Sequence, residues 1–262
     1  ELNVEWKVAE GLSIDIVKKA LEQYSEAKIL ILTYPTYYGI ANNIEEIIKL
    51  AHEHNVKVLV DEAHGAHFIA GGPFPKSSLT YGADYVVHSA HKTLPALTMG
   101  SFLHVNHGVD DFKKVEMYLR MLQSSSPSYP IMASLDLARS FVATLTEKDV
   151  NYSKKIACDF KEKLSHIAGI KILQHKDAQI DILKVALQTD GSFTGIQLQD
   201  ELNRNGLYTE LADPRNVLLV LPLLKDKEEY PFEEAVKIIK TAVLNLKCNS
   251  NLAKYIYIDG DV

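Results

Sequence analysis

Residues 57–67 read KVLVDEAHGAH, and residues 84–94 read DYVVHSAHKTL. Each stretch begins with a short apolar run rich in branched residues, which is typical of a buried strand in a parallel sheet. Each run ends in a group of acidic, basic and imidazole side chains. Because parallel strands end at the same edge of a sheet, where the loops form a crevice, we expect both groups to open onto one edge. The pattern predicts an α/β sheet with a reactive edge.

The flanking segments alternate between helix and strand patterns. Residues 13–24 have one apolar helical face, with Ser13 placed to cap the first turn, and a second helix is predicted from about residue 43 to 55. The run KILILT at residues 28–33 predicts a buried strand, and residues 101–105 predict a hairpin partner for the strand before them. This alternation favours parallel βαβ units, in a mostly parallel sheet with helices on both faces.

The second half of the chain has a different texture. From residue 131 to about 167 the pattern is helical throughout, so we predict one long connecting helix. After Gly169, strand-like runs alternate with two helical ones, near residues 195–205 and 231–246. We therefore predict three parts: a large α/β domain over 1–130, the connecting helix over 131–168, and a smaller α+β domain over 169–262.

Composition excludes several classes of protein. The net charge of -6 gives no basic field for binding phosphate backbones, so we expect no nucleic-acid partner. The two cysteines, Cys158 and Cys248, lie far apart, which disfavours a disulfide framework or structural zinc and fits a reducing cytoplasm. No apolar stretch is long enough to span a bilayer, so we expect no membrane partner.

Lys92 and Asp61 suggest the chemistry of the edge. Lysine forms Schiff bases with carbonyl compounds, and enzymes that use pyridoxal 5′-phosphate (PLP) pair such a lysine with an acid at the pyridine nitrogen. The protonated ring then accepts the electrons left when a bond at the substrate α-carbon breaks. Asp61 suits that role, and the small Ala63 leaves space for a flat ring. Ser89 and His91 are placed to donate hydrogen bonds to the phosphate.

Three motifs make a family resemblance specific: DEAHGAH at residues 61–67, SAHKTL at 89–94 and SPSYP at 126–130. In order and spacing they resemble the large domain of the ornithine/lysine/arginine decarboxylases, PLP enzymes with the aspartate-aminotransferase-like fold, called fold type I. The likeness extends through TYPTYYG at 33–39 and YTELAD at 208–213. Pro95 and Met99 indicate the shorter, Gram-positive-like branch of the family.

The resemblance implies roles for individual residues. It implies that Lys92 bonds PLP, that Asp61 pairs with the pyridine nitrogen, and that Ala63 contacts the ring. It implies that Ser89 and His91 bind the phosphate.

The resemblance also implies further contacts. His64 stands where family members place a side chain near the ring hydroxyl, and His91, His64 and released Lys92 are the candidate proton donors. The loop over residues 124–129 resembles a segment that reaches the phosphate in the opposite subunit. That likeness adds Ser124, Ser125 and Ser126 to the cofactor contacts, and it implies a homodimer with the site at the subunit interface.

Family members also carry an upstream serine-rich phosphate loop and an aromatic or histidine side chain that stacks on the ring. Neither pattern precedes Asp61, so we expect the chain to lack the N-terminal part of the large domain. Either those residues come from a removed or separate segment, or this polypeptide does not bind PLP in the usual way.

The leading hypothesis is α-decarboxylation of arginine, lysine or ornithine, which yields a polyamine or its precursor. Tyr37, Glu210 and Asp213 are candidates for binding the substrate, although Tyr37 equally suits packing in its turn, and the two acids suit a turn beside Pro214. Two alternatives stay open. One is other fold type I PLP chemistry, as in an aminotransferase or lyase, and the other is a noncatalytic dimerisation or regulatory fragment.

A metal site is the competing interpretation of the histidines, since His52, His54, His64 and His67 accompany two acids. His52 and His54 end a helix, where imidazole beside exposed carbonyls is ordinary, so we predict no metal. For Lys92 the alternative is a solvated surface lysine. That alternative would leave its pattern with Ser89 and His91 to coincidence.

Overall fold

The computed structural model describes the backbone of residues 1–258 and the side chains of residues 1–248. Ten strands and eight α-helices occur in this part of the chain, together with 3-10 helices at Ala66–Ala70 and Ser78–Tyr81. The strands are β1 Ile29–Thr33, β2 Ile40–Ala41, β3 Lys57–Asp61, β4 Tyr85–His88, β5 Phe102–Val105, β6 Ile170–Ile172, β7 Gln179–Ile180, β8 Lys184–Thr189, β9 Leu211–Ala212 and β10 Asn216–Val220. The helices are α1 Ile14–Gln23, α2 Ile44–Glu53, α3 Ala90–Thr93, α4 Phe112–Leu122, α5 Tyr129–Ala143, α6 Glu147–Ser165, α7 Gly195–Arg204 and α8 Phe232–Ile258.

The first sheet has the strand order β1-β3-β4-β5. Strands β1, β3 and β4 are parallel, with Thr33 opposite Asp61 and Asp61 opposite Val87. Strand β5 runs antiparallel beside β4, as the sequence predicts for residues 101–105. The sheet is therefore mostly parallel, and the predicted α/β architecture is confirmed.

The two faces of this sheet differ in burial. On one face Val58, Val60 and Val86 are fully buried, because α1, α2 and neighbouring segments contribute to the same core. On the other face Ile29 and Ile31 of β1 are 42% and 66% exposed. The expectation that KILILT forms a strand is confirmed, but the expectation that it is buried is wrong for this face. Among the described residues, nothing covers these two isoleucines well enough to bury them.

The second sheet is antiparallel, in the order β6-β8-β10-β9. Its inner strands β8 and β10 are almost wholly buried, and helix α7 packs against α8 and against β10. The strands and helices predicted after Gly169 are therefore confirmed. A short antiparallel pair, β2 with β7, joins the two halves of the chain.

The single connecting helix over 131–168 is wrong, because two helices occupy this segment. Helix α5 ends at Ala143, and α6 begins after Thr146, which forms a capping box with Asp149. The Asp149 carboxylate accepts from the Thr146 backbone N–H at 2.7 Å. This reciprocal cap stabilises a new helix start, and the spacing Thr-x-x-Asp was its signal. At α1, Ser13 occupies the cap position, but its side chain makes no capping hydrogen bond.

The division at residues 130 and 168 stays a prediction. One cluster of buried side chains includes Val58 and Val86 of the first sheet together with Leu187 and Val217 of the second. Residues 259–262 of the predicted C-terminal domain lie outside the described part. Among the described helices, none combines the length and the apolarity that crossing a bilayer requires.

Candidate active site

The carboxyl ends of β3 and β4 place the two predicted reactive groups at one edge of the first sheet. Strand β3 ends at Asp61, an exposed residue whose carboxylate accepts from the Ala63 N–H at 3.1 Å. Strand β4 ends at His88, and the short helix α3 that follows carries Lys92. The Glu62 N–H donates to the Val87 carbonyl at 3.0 Å, which ties the first loop to the neighbouring strand.

His64 is the residue on which the edge converges. Its Nε2 lies 3.3 Å from Lys92 Nζ, and its Nδ1 lies 3.0 Å from Lys184 Nζ. The ring of Tyr37 meets the His64 ring edge-on, with 4.4 Å between centroids. We call these four residues, His64, Lys92, Lys184 and Tyr37, the His64 cluster. His64 and Lys184 are buried, whereas Lys92 is exposed.

The charges around His64 oppose its protonation. Burial and the positive charge of Lys184 lower the pKa of His64 to about 3, so the imidazole is neutral at physiological pH. Burial also lowers the pKa of Lys184. The Tyr37 hydroxyl donates to Glu210 Oε1 at 2.7 Å, and burial together with this bond raises the pKa of Tyr37 to about 12.

Sequence reasoning missed Lys184, although a signal was present. A single lysine interrupts the apolar run ILKVAL at residues 182–187, and a buried strand rarely holds a charge without a purpose. The fully buried Asp181 lies three residues before Lys184, and its carboxylate is 3.1 Å from His67 Nε2. Burial would raise the pKa of Asp181, but His67 and neighbouring hydrogen bonds outweigh it and lower that pKa.

A second buried group lies beneath the edge and is also absent from the sequence predictions. The Glu62 carboxylate is fully buried and accepts from the Ser78 N–H at 2.7 Å and from the Ser78 hydroxyl. Its other oxygen lies 3.0 Å from His88 Nε2, and His88 Nδ1 lies 3.0 Å from His104 Nε2. We call Glu62, Ser78, His88 and His104 the Glu62 cluster. His88 and His104 line a mainly apolar cavity of about 510 Å³.

The donor set at the edge fits PLP. Lys92 offers an amine for the carbonyl carbon, and the exposed Asp61 offers a carboxylate for the pyridine nitrogen. The Ser89 side chain makes no capping bond to α3, which leaves its hydroxyl available to a phosphate. Beside Lys92, the Thr93 hydroxyl is buried without a hydrogen-bond partner among the described residues. An orphaned hydroxyl at this position is consistent with a further polar group binding there.

His91 is less suited to the phosphate than its pattern suggests. Its Nδ1 lies 2.9 Å from the Gly100 carbonyl, which can only accept, so Nδ1 carries the proton in the neutral ring. Nε2 then donates to an anion only when the ring is protonated. The role of His91 in binding the phosphate stays a prediction, and it requires a protonated imidazole ring.

The serine loop lies in the exposed segment before α5. Ser124, Ser125 and Ser126 are all exposed, and the Ser124 hydroxyl bonds to the Ser126 backbone. Their contact with the cofactor of an opposite subunit stays a prediction, because it concerns two copies of the chain.

The two candidate acids for the substrate differ. Glu210 is exposed and reaches the His64 cluster through Tyr37. Asp213 accepts hydrogen bonds from Tyr38, Arg215 and Asn216. Its oxygens are thus already filled by protein donors, which favours the turn role for Asp213.

His52 and His54, which entered the metal alternative, have partners of their own. His52 pairs with Asp84 at 2.9 Å, and His54 Nδ1 lies 2.9 Å from the Leu50 carbonyl.

Residues 5–184 match the family model described as Orn/Lys/Arg decarboxylase, major domain. The chain belongs to the Orn/Lys/Arg decarboxylase family. The matched segment includes all of the His64 cluster, with Lys184 as its last residue. Lys92, Asp61 and their neighbours therefore lie in the part of the chain that defines the family.

Relatives of this decarboxylase family member occur in Bacillus species. An uncharacterized protein of Bacillus subtilis, YaaO, is 49% identical over 212 residues, covering 79% of this chain and 44% of YaaO. An arginine decarboxylase of Bacillus cereus is 34% identical over 231 residues, covering 85% of this chain and 50% of that enzyme. The chain spans about half the length of these curated relatives.

Solved structures show the same fold at low sequence identity. A constitutive lysine decarboxylase of Escherichia coli aligns with TM-score 0.69 and 18% identity, covering 92% of this chain and 40% of that one. A NifS-like protein aligns with TM-score 0.68 and 14% identity over 88% of this chain and 64% of that chain. The decarboxylase family member described here thus has the predicted fold type I architecture.

Proposed function

We propose that this chain supplies the lysine-bearing part of a PLP-dependent decarboxylase acting on a basic amino acid. The observation that carries the proposal is the placement of Lys92. Its amine contacts His64 at the edge where Asp61 ends the adjacent parallel strand. Family membership supports the same chemistry, because relatives include proteins named arginine decarboxylase.

PLP, when bound, accepts the electrons released as the bond between the α-carbon and the carboxylate breaks. The residues of this chain would hold it and shape its surroundings. Lys92 would bond its carbonyl carbon, Asp61 would keep its pyridine nitrogen protonated, and Ser89 would donate to its phosphate. The 3.3 Å distance between His64 Nε2 and Lys92 Nζ supports a role for His64 in proton exchange with that amine.

The surroundings of Lys92 support a cationic substrate. A cavity of about 390 Å³ opens beside Lys92, and the residues that line it include Phe141, Tyr230 and Glu228. The exposed Glu210 accepts a hydrogen bond from Tyr37 of the His64 cluster through one carboxylate oxygen. Arginine, lysine and ornithine all carry a distal cation that such a carboxylate would align. The product would be a polyamine or its precursor.

We also propose that the working enzyme is a cytoplasmic homodimer. The support for the dimer is the resemblance of the serine loop over residues 124–129 to a segment that reaches the opposite subunit. That loop is exposed and so is available to a second copy.

A second candidate is a chain that becomes competent only with an upstream partner segment. The observation in its favour is that curated relatives are about twice as long as the part this chain matches. In this alternative Lys92 is placed correctly, but the phosphate is bound only when the upstream half is supplied.

The decisive experiment is covalent trapping on Lys92. The purified chain is mixed with PLP and borohydride, alone and with a separately expressed piece of YaaO that lies outside its matched 212 residues, and peptides are analysed by mass spectrometry. We expect the cofactor adduct on Lys92 and not on Lys92→Arg, together with carbon dioxide release from one basic amino acid. An adduct only in the presence of the added half would establish the second candidate. If neither mixture modifies Lys92, both proposals are wrong.

A further inference from the structure

We infer that one face of the first sheet is the docking surface for an amphipathic helical segment, which corresponds to the part of YaaO outside the match. Ile29, Ile31 and Leu59 form this surface, and we call them the open face. The inference rests on the second candidate function only in taking the longer relatives as the source of the segment.

Strand register places an apolar row across this face of the sheet. Ile31 lies opposite Leu59, and Leu59 lies opposite Tyr85. Tyr85 in turn lies opposite Val105. Directly opposed residues share a face, so these four side chains form one row. Tyr85 is buried, Leu59 is half-buried and Ile31 is 66% exposed, so the cover of the row is lost toward the edge strand β1.

The opposite face of the same strands is closed. Val58 and Val60 of β3 are fully buried, and α1 and α2 contribute to the same core. Strands of a parallel sheet are ordinarily buried on both faces, because helices cover each face. Helix α4 buries none of its own residues, and no segment in the described part of the chain buries Ile29 or Ile31. The layer for the open face therefore has to come from another segment.

The length of the relatives points to the source of that segment. The match covers 44% of YaaO and 50% of the Bacillus cereus arginine decarboxylase, so about half of each relative lies outside it. All strands of the first sheet lie within residues 5–184, which match the major domain of the family. The unmatched half thus accompanies this domain in longer relatives. An amphipathic helix is the element that closes one face of such a sheet, so we expect its apolar stripe on the open face.

The open face continues to the reactive edge. Asp61 follows Leu59 by two residues on β3, so its side chain points to the same face, with Thr33 as its neighbour on β1. Asp61 is exposed, like Ile31. A segment seated on the open face would reduce the exposure of this carboxylate. Docking would therefore act on the proposed partner of the pyridine nitrogen.

Carbene labelling of side chains without PLP tests the inference. The peptide that contains residues 28–33 is compared between this chain, over a range of concentrations, and the aligned peptide of intact YaaO. We expect about fivefold less labelling in intact YaaO, because labelling follows the exposure of apolar side chains. Equal labelling in the two proteins would overturn the inference. Protection that develops in this chain alone as its concentration rises would assign the open face to a second copy, and would overturn it too.

A matched pair of variants gives a second measurement. The chain is titrated with the separately expressed piece of YaaO outside its matched 212 residues, and the dissociation constant is measured by calorimetry. Ile31→Lys places a charge in the row and should weaken binding by at least about tenfold. Ile196→Lys, at a 49% exposed isoleucine on α7, should bind as wild type does. Equal affinities of the two variants would overturn the inference.

If the isolated piece does not bind the wild-type chain, the labelling of intact YaaO decides. Both measurements omit PLP, so their failure is distinct from failure of the proposed function, which is tested by trapping the cofactor on Lys92.

Discussion

Glu62 and His64 lie two residues apart on the turn after β3, yet the buried histidines of the Glu62 cluster and the His64 cluster have chemically different neighbours. His88 contacts the carboxylate Glu62 and a second imidazole, His104. His64 instead contacts two lysine amines and an aromatic ring. In the Glu62 cluster the carboxylate accepts hydrogen bonds from the groups around it. In the His64 cluster two lysine amines contact one imidazole ring.

This difference suggests that two residues on the same turn, Glu62 and His64, serve different purposes: one stabilises the fold and the other belongs to the proposed site. A buried carboxylate that accepts several hydrogen bonds pins the 3-10 helix at Ser78 and the end of β4 in place. A buried amine next to another amine stabilises little, because the desolvation of like charges is unfavourable. Such an arrangement is typical of sites where proton affinity is tuned. We therefore propose that the Glu62 cluster stabilises the fold and that the His64 cluster serves the proposed reaction.

The largest effect expected from this comparison is on the Glu62 side. Glu62→Ala leaves the Ser78 N–H, the Ser78 hydroxyl and His88 without their acceptor, which should lower the free energy of unfolding by about 3–5 kcal/mol. Asp61→Ala removes an exposed neighbour and should change it by less than about 1 kcal/mol. Urea denaturation of both variants measures the difference. Equal losses of unfolding free energy in the two variants would show that Glu62 does not stabilise the fold more than Asp61 does.

A smaller effect should come from pH. The pKa of His64 is about 3 in the folded chain, below its ordinary value, so below about pH 6.5 the unfolded chain binds a proton that the folded chain excludes. The stability present above that pH should therefore fall by up to about 1.4 kcal/mol per pH unit on acidification, from this one group. His64→Gln should flatten the slope measured by urea denaturation at pH 7, 6 and 5. The control His107→Gln, at an exposed position, should keep the wild-type slope; a flattening there too would assign the effect elsewhere.

The smallest effect on stability is expected for Lys184→Met. Replacing a buried amine by an apolar chain of similar length removes a desolvation cost, so the free energy of unfolding should change by no more than about 1 kcal/mol in either direction. Thermal and urea unfolding at pH 7.5 measure this change. A loss of about 3 kcal/mol or more would place Lys184 in the scaffold with Glu62 and would break the comparison.

The features of the fold that depend on local sequence patterns could be predicted from the sequence. Short apolar runs gave β1, β3 and β4, and because parallel strands share an edge, Asp61 and Lys92 were expected to open together. The split between α5 and α6 was missed, although Thr146 and Asp149 have the spacing of a capping box. Helical periodicity continues across such a cap, so it does not reveal the break.

The contacts of His64 could not be predicted in the same way. Lys184 is 120 residues from His64 along the chain, and only the docking of β8 brings them to 3.0 Å. The Glu62 cluster was also invisible, because neighbouring acids such as Asp61 and Glu62 look alike in a sequence. Their burial depends on the turn after β3, which exposes the first and buries the second.

The contacts made by Tyr37 and Lys184 mean that the reactive edge is not a transferable module. Lys184 belongs to β8 of the second sheet, and Tyr37 is anchored to Glu210, just ahead of β9. A truncated protein ending after α6 would keep Lys92, Asp61 and Ser89, yet His64 would lose one amine and the anchor of its aromatic neighbour. Grafting the two loops of the first sheet onto another α/β scaffold would therefore transfer Lys92 without the contacts that Lys184 and Tyr37 make with His64.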